Sequence, residues 1–242
     1  MKIHTVILAA GEGSRMLSNK AKSLQPLGGH SMLQRIYTTV KDISSETTFV
    51  VGYEKDAIIA ETESFDGTIH IAEQKKAIGT SDAVKSALPS ITKPCNVLVL
   101  YGDVPLIKQD TLEKLITETK DGLTILSTII DSPHGYGRVK KDNEGYAQAI
   151  VEEKDASDSE KQIKEVFTGI LCCKKELLKE AINEVGNDNA AGEYYLTDIV
   201  SIIYSKGYKI KTCVVSNDEV KGANTKTELA ELEEIYRKMN AE

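Results

Sequence analysis

Cysteine and histidine are scarce in this chain, with four of each among 242 residues. Cys95, Cys172, Cys173 and Cys213 show neither paired C-x-x-C spacing nor the density of a disulfide framework. Cys172 and Cys173 sit side by side in the apolar run GILCC and read as buried thiols. His4, His30, His70 and His134 stand singly, with no i, i+4 pair to grip a metal from one helix face, so a structural zinc is not indicated. No stretch approaches the roughly 20 apolar residues of a membrane span. Met1-Lys2-Ile3-His4 leads straight into a strand pattern instead of a signal peptide. These absences set the expectation of a cytoplasmic protein without a membrane partner. Positive charge is also in deficit: 30 Lys and Arg against 37 Asp and Glu leave a net charge of −7. That balance argues against a nucleic-acid partner, whose affinity rests on many phosphate neutralisations. An anionic small substrate would need cations gathered locally. Repeats, low-complexity tracts and flexible linkers are missing as well.

What is present begins at the N-terminus, where TVILAAG breaks into GEGSRM and Lys22 follows Arg15 by seven residues. A buried strand here delivers a glycine-bearing turn whose backbone N–H groups can approach an anion, with Arg15, Lys20 and Lys22 just beyond. A Walker A loop requires G-x-x-x-x-G-K-[ST], which Gly11 to Met16 does not supply. A dinucleotide fingerprint requires a third glycine, where this chain has Met16, and a helix at once, whereas Pro26, Gly28 and Gly29 delay the helical pattern to Ser31. A phosphate-handling turn remains, beside the plainer readings of a strand-to-loop turn and a solvated basic loop.

Through the first half, apolar strands alternate with amphipathic helices: TVILAAG, SMLQRIYTTVKDI, TTFVVGY, DAIIAETESF, TIHIAEQ, TSDAVKSAL, NVLVLYGDVPL and TLEKLITETK. This alternation predicts an α/β layered fold with parallel strands covered on both faces. Ligands of such sheets bind outside the carboxyl ends of the strands, where Gly11, Gln74, Gly79 and Asp103 fall. From about Gly122 the strands GLTILSTII, GRVKK, YAQAIVEE and VFTGILCC come without long helices between them, which predicts antiparallel additions forming one wall of a pocket. KELLKEAINEV and YLTDIVSIIYSKG read as helices, YKIKTCVVS as a strand, and TELAELEEIYRKMN as a terminal helix docked through Leu229, Leu232 and Tyr236. The expected division is a main domain over 1–225 and a C-terminal helix over 226–242.

Asp103 in YGDVPL follows an apolar strand and can hold a hard divalent cation, with Asn224 in KGANT as a neutral oxygen partner; an N-cap or turn role explains Asp103 equally well. Glu152 and Glu153 end a strand, so alternation sends them to opposite faces and only one into a shared cleft, suited to accepting hydrogen bonds from sugar hydroxyls. In AAGEYYLTD, Glu193, Thr197 and Asp198 read as helix-starting residues and Tyr194 and Tyr195 as packing aromatics.

LAAGEGSRM with Lys22, EQ…GTSDA, LYGDVPL, GYGR, IVEEKDA, FTGIL, AGEYYLTD and EVKGANT together resemble the uridylyltransferase (pyrophosphorylase) domain of bacterial N-acetylglucosamine-1-phosphate uridylyltransferase, over essentially the whole chain. The first motif alone marks only the broad sugar-nucleotide pyrophosphorylase group; GYGR, VE-x-KDA and GEYY-[IL]-TD narrow it. The resemblance implies a Rossmann-like (GT-A-like) three-layer nucleotidyltransferase with a mixed sheet. It implies transfer of UMP from UTP to N-acetylglucosamine 1-phosphate with Mg²⁺. It further implies that Leu8, Ala9, Ala10, Gly11, Gln74, Gly79 and Thr80 contact the nucleotide and that Arg15 and Lys22 act on the phosphates. Tyr101, Gly102, Gly137, Glu152 and Thr168 would line the sugar pocket, and Asp103 and Asn224 would hold the metal. Two departures are noted: the family usually has asparagine before the TGI of the sugar-facing strand, and Thr168 is read as its replacement. The chain also stops at Glu242 without hexapeptide repeats, so acetyltransferase activity is not expected from it. Transfer to another sugar phosphate such as glucose 1-phosphate, a non-catalytic nucleotide-sugar sensor and a dinucleotide oxidoreductase are the alternatives.

Overall fold

The computed structural model describes residues 2–240 except 17, 19 and 121, with Ser14 described in its backbone alone. The first half runs β1 (Ile3–Leu8), β2 (Pro26–Leu27), β3 (His30–Ser31), α1 (Met32–Val40), β4 (Glu46–Val51), α2 (Lys55–Thr62), β5 (Ile69–Glu73), α3 (Thr80–Ala87), β6 (Asn96–Tyr101) and α4 (Gln109–Glu118). The second half runs β7 (Leu123–Ile129), β8 (Arg138–Lys141), β9 (Ala147–Val151), β10 (Glu165–Lys174), α5 (Lys175–Glu184), α6 (Asp198–Ser205), β11 (Lys211–Val215), α7 (Asn217–Val220) and α8 (Lys226–Met239).

The main sheet has the order β11-β7-β10-β6-β1-β4-β5, with β8 and β9 attached beside β10. β6, β1, β4 and β5 pair in parallel, as their apolar composition predicts. β10 pairs antiparallel with β6, β7 and β8, and β8 with β9, so the four strands of this half are joined by the expected antiparallel pairings, and two reversals leave β7 and β8 running in the same sense as β6. β11 is parallel to β7, reached through α5 and α6, which supply the crossover length a parallel partner needs.

Side-chain alternation along β1 builds the two cores. Val6 and Leu8 face a cluster completed by α3, α5 and α6, while Ile3 and Ile7 face one completed by α1, α2 and α4. Cys173 lies in the first core and Cys172 in the second, each fully buried. Burial pushes the Cys172 thiol up to about 12, which leaves it protonated and unreactive.

His4 is 3% exposed and shares a 2.7 Å hydrogen bond with Thr48 through Nε2. Burial lowers its pKa to about 4 from 6.5, against the attraction of Glu46. Below pH 6.5 the unfolded chain takes up a proton that the folded chain refuses until about pH 4. Stability is therefore complete above that window and falls across it, on the order of 2–3 kcal/mol. Urea midpoints at pH 7.0 and 4.5 check this: His4→Gln should flatten the difference, and an unchanged slope would reject His4 as its source.

Candidate active site

The parallel strands end together at one edge of the sheet, and the chain turns there three times. After β1, Ala9 N donates to Val50 O at 2.9 Å and Ala10 O accepts from Tyr53 N at 3.2 Å, while Gly102 N donates to Leu8 O at 2.8 Å. The run Leu8 to Gly11 is thus threaded between the ends of β4 and β6. Gln74, just after β5, donates through Nε2 to Gly79 O at 3.0 Å and to Asp82 Oδ2 at 3.1 Å, fixing it to the start of α3. Thr80 Oγ1 accepts from Leu196 N at 3.0 Å and ties the same start to the segment before α6.

Leu8, Ala9, Ala10, Gly11, Gln74, Gly79 and Thr80 all line one cleft of about 330 Å³, together with Lys22, Tyr101, Gly102 and Asp103. Burial raises the pKa of the Tyr101 phenol, so it remains neutral and can donate a hydrogen bond. Its ring lies close against Gly169, where an added Cβ would come within 2.6 Å of Tyr101 Cε2. Ser23, Ala77, Ala83 and Glu193 complete the lining. Ser23 and Ala77 fall outside the quoted motifs, whereas Ala83 closes GTSDA and Glu193 stands in the GEYY run.

Beside the cleft, Lys22 Nζ pairs with Asp103 Oδ2 and donates to Asn224 Oδ1 at 2.9 Å, and Arg15 Nη2 donates to the same Asn224 oxygen at 3.1 Å. Lys22 and Asp103 are 19% and 14% exposed, so their charges act where solvent screens them weakly. Asp103 spends its carboxylate on Lys22, and the next helix, α4, begins six residues later, which removes the N-cap alternative. Gly13, with φ +62, passes close over Lys22: a Cβ there would lie 2.7 Å from Lys22 Cβ. The turn glycine is thus needed for the lysine to reach the cluster.

Gly137, Glu152 and Thr168 do not line the cleft. A Cβ at Gly137 would sit 3.5 Å from Glu152 Cδ, and Glu152 Oε1 accepts from Thr197 Oγ1 at 2.9 Å. Burial raises the pKa of the Glu152 carboxyl, with the Thr197 hydrogen bond opposing it. Glu153 pairs instead with Arg138 Nη2 at 2.6 Å, where Arg138 is 1% exposed. Adjacent carboxylates at the end of β9 are directed apart, each with its own partner. Thr197 precedes α6 in helical geometry and makes no side-chain cap; its hydroxyl serves Glu152, so the helix-starting role expected for it is not what its side chain does.

Thr168 spends its hydroxyl on Leu126 O at 2.9 Å, inside the irregular register between β10 and β7. The residue directly before Thr168-Gly169-Ile170 is Phe167, so the departure from asparagine read at Thr168 belongs to Phe167. Phe167 is 6% exposed, packs into the first core and donates its N–H to Gly137 O at 2.9 Å.

Comparison with known proteins gives this geometry a family. Residues 5–136 match the MobA-like NTP transferase domain. The chain belongs to that family. It is a nucleotidyltransferase. It is 42% identical over 243 residues to the bifunctional protein GlmU of Marinobacter nauticus, covering 99% of this chain and 53% of the relative. It is 43% identical over 244 residues to GlmU of Francisella philomiragia, covering 100% of this chain and 53% of the relative. The chain spans about half the length of the curated relatives it matches. A Bacillus anthracis structure assigned as a glucose-1-phosphate thymidylyltransferase superimposes with a TM-score of 0.78 at 21% identity, covering 97% of this chain and 95% of the other. A nucleotidyl transferase from Methanothermobacter superimposes with a TM-score of 0.70 at 16% identity, covering 99% of both chains. These two likenesses establish the fold expected from the sequence, a Rossmann-like, GT-A-like nucleotidyltransferase with a mixed sheet. Among the described residues, no helix is long and apolar enough to cross a membrane.

Proposed function

We propose that this domain transfers UMP from UTP to N-acetylglucosamine 1-phosphate, giving UDP-N-acetylglucosamine and pyrophosphate, in the cytoplasm. The observation that carries the reading is the union of one cleft, lined by the seven expected nucleotide residues, with the Arg15, Lys22, Asp103 and Asn224 cluster at its side. An oxygen of the sugar phosphate attacks the α-phosphorus in line; the new O–P bond forms as the bond to the pyrophosphate oxygen breaks. The nucleophile is already an anion at neutral pH, so no general base is required. Arg15 and Lys22 gather the two anionic substrates and stabilise charge as it moves to the leaving group. Glu152, held by Thr197 behind the Tyr101 wall of the cleft, is assigned the hydroxyls of a sugar that extends past that wall.

The cluster also suits a divalent cation, because Asp103 Oδ2 and Asn224 Oδ1 already converge on one positive centre, the Lys22 ammonium. Both are hard oxygen donors, and among the described residues no group of three or more His, Cys, Asp and Glu side chains is assembled for a metal. Such sparse protein ligation fits Mg²⁺, which, when bound, neutralises phosphate charge and keeps waters and phosphate oxygens in its shell.

Phe167 favours a second reading, the same transfer onto a sugar phosphate without an acetamido group, since an aromatic ring offers no amide to recognise one. Pyrophosphate release with Mg²⁺, measured for N-acetylglucosamine and glucose 1-phosphates against UTP and dTTP, decides between them. The expected result is the highest kcat/KM for UTP with N-acetylglucosamine 1-phosphate. A higher value for glucose 1-phosphate overturns the sugar assignment, and UTP binding without pyrophosphate release overturns catalysis.

A further inference from the structure

Apart from the two cores that sandwich the sheet, a third apolar cluster lies beneath the polar one. It consists of Met16, Leu27, Met32, Leu106, Ala223 and Leu232, with Leu229, Ile235 and Tyr236 packed against it. Its members follow the polar cluster residue by residue along the chain. Met16 directly follows Arg15, Leu27 lies just past Lys22, Leu106 just past Asp103, and Ala223 directly precedes Asn224. The four loops carrying the cluster therefore share one apolar floor, closed by the fully buried Leu232 of α8.

Polar contacts from α8 bind two of those loops directly. Glu228 Oε2 accepts from Asn224 N at 2.5 Å and Thr225 N at 3.1 Å as half of the capping box that starts the helix. One turn further on, Glu233 Oε2 accepts from Gly28 N at 2.9 Å. The Tyr236 ring lies 4.0 Å from the Arg35 guanidinium carbon, and Arg35 in turn donates to Leu27 O at 2.5 Å and Gly28 O at 2.6 Å. Gly28 has φ +54, and a Cβ there would collide with the Tyr236 ring, so the β2–β3 hairpin is shaped to receive this helix.

We propose that α8 is a positioning element of the reaction site, with Leu232, Glu233 and Tyr236 acting through the loops that present Lys22 and Asn224. The inference rests on the reaction proposed above only for its kinetic readout. A cluster that stabilises a moving charge must be held to a fraction of an ångström, and loops reach that precision only when packed from below. The floor supplies this packing without touching substrate.

Hydrogen–deuterium exchange of Leu232→Ala, Tyr236→Ala and Glu233→Ala tests it without any substrate. Glu233→Ala removes the acceptor of Gly28 N from a partly exposed side chain and keeps the test open should the core variants fail to fold. The expected result is exchange at least tenfold faster in segments 20–28 and 222–226, with β1, β6 and β10 unchanged. Alongside it, kcat should fall tenfold or more while KM for the sugar phosphate stays within twofold, and Leu232→Met and Tyr236→Phe should restore both. Wild-type exchange in those loops, or acceleration spread over the whole sheet, would overturn the inference. An inactive wild-type chain would overturn the proposed reaction instead and leave the exchange result standing on its own.

Discussion

Lys22→Ala is expected to lower the rate of pyrophosphate release by two to three orders of magnitude with the fold retained. The size of the effect follows from where the ammonium sits. At 19% exposure its field is screened weakly by water, and it lines the cleft together with the turn from Leu8 to Gly11. Preorganised charges of this kind typically contribute about 10²–10³ in kcat when removed one at a time. Arg15 reaches the same Asn224 oxygen from an exposed position, so Arg15→Ala is expected to cost less, about one to two orders, and to cost less still as salt is raised. Because both cations donate to the same Asn224 oxygen, the double variant should fall short of the product of the two losses. The assay is single-turnover release from saturating UTP, read beside a thermal melt. Near-normal rates from Lys22→Ala in a folded protein would remove the lysine from the mechanism.

The strands of this protein were legible because their chemistry is local. VIL in β1 and VLVL in β6 are unbroken apolar runs of the kind a doubly covered parallel strand carries, and the structure has the two strands adjacent. What local pattern could not reveal is pairing across the chain. Lys22 and Asn224 lie 202 positions apart, and nothing in either neighbourhood states that one oxygen serves both Lys22 and Arg15. Thr197 illustrates the same limit from the other side. Its place before a helix suggests a cap, yet its hydroxyl is drawn 45 positions back to Glu152, a partner that only the fold brings within 2.9 Å. Arg138 belongs here too: a fully buried arginine is costly unless paired, and its partner Glu153 was visible only as the less interesting member of a carboxylate pair. The helix α8 was readable as amphipathic, whereas its floor beneath four separate loops was not, since those loops have no common periodicity.

Asp103→Ala is expected to have the second large effect, and it separates metal binding from charge stabilisation. Removing the carboxylate leaves Asn224 as the sole protein oxygen of the pair, a neutral donor, and cation affinity at oxygen sites falls steeply with ligand charge. The Mg²⁺ midpoint of pyrophosphate release should rise at least tenfold, with kcat at saturating Mg²⁺ reduced by a further one to two orders. Mn²⁺ binding followed by electron paramagnetic resonance, in the absence of nucleotide, gives a readout that does not depend on turnover. Here the two key variants should move in opposite directions. In the wild type the Lys22 ammonium is held between Asp103 and Asn224, where it competes with any other cation for the same oxygens. Lys22→Ala removes that competitor and should tighten Mn²⁺ binding even as it abolishes most turnover, whereas Asp103→Ala should weaken both. Equal Mn²⁺ affinities in the wild type and in Asp103→Ala would exclude this carboxylate as a metal ligand, and its pairing with Lys22 would then be its whole role.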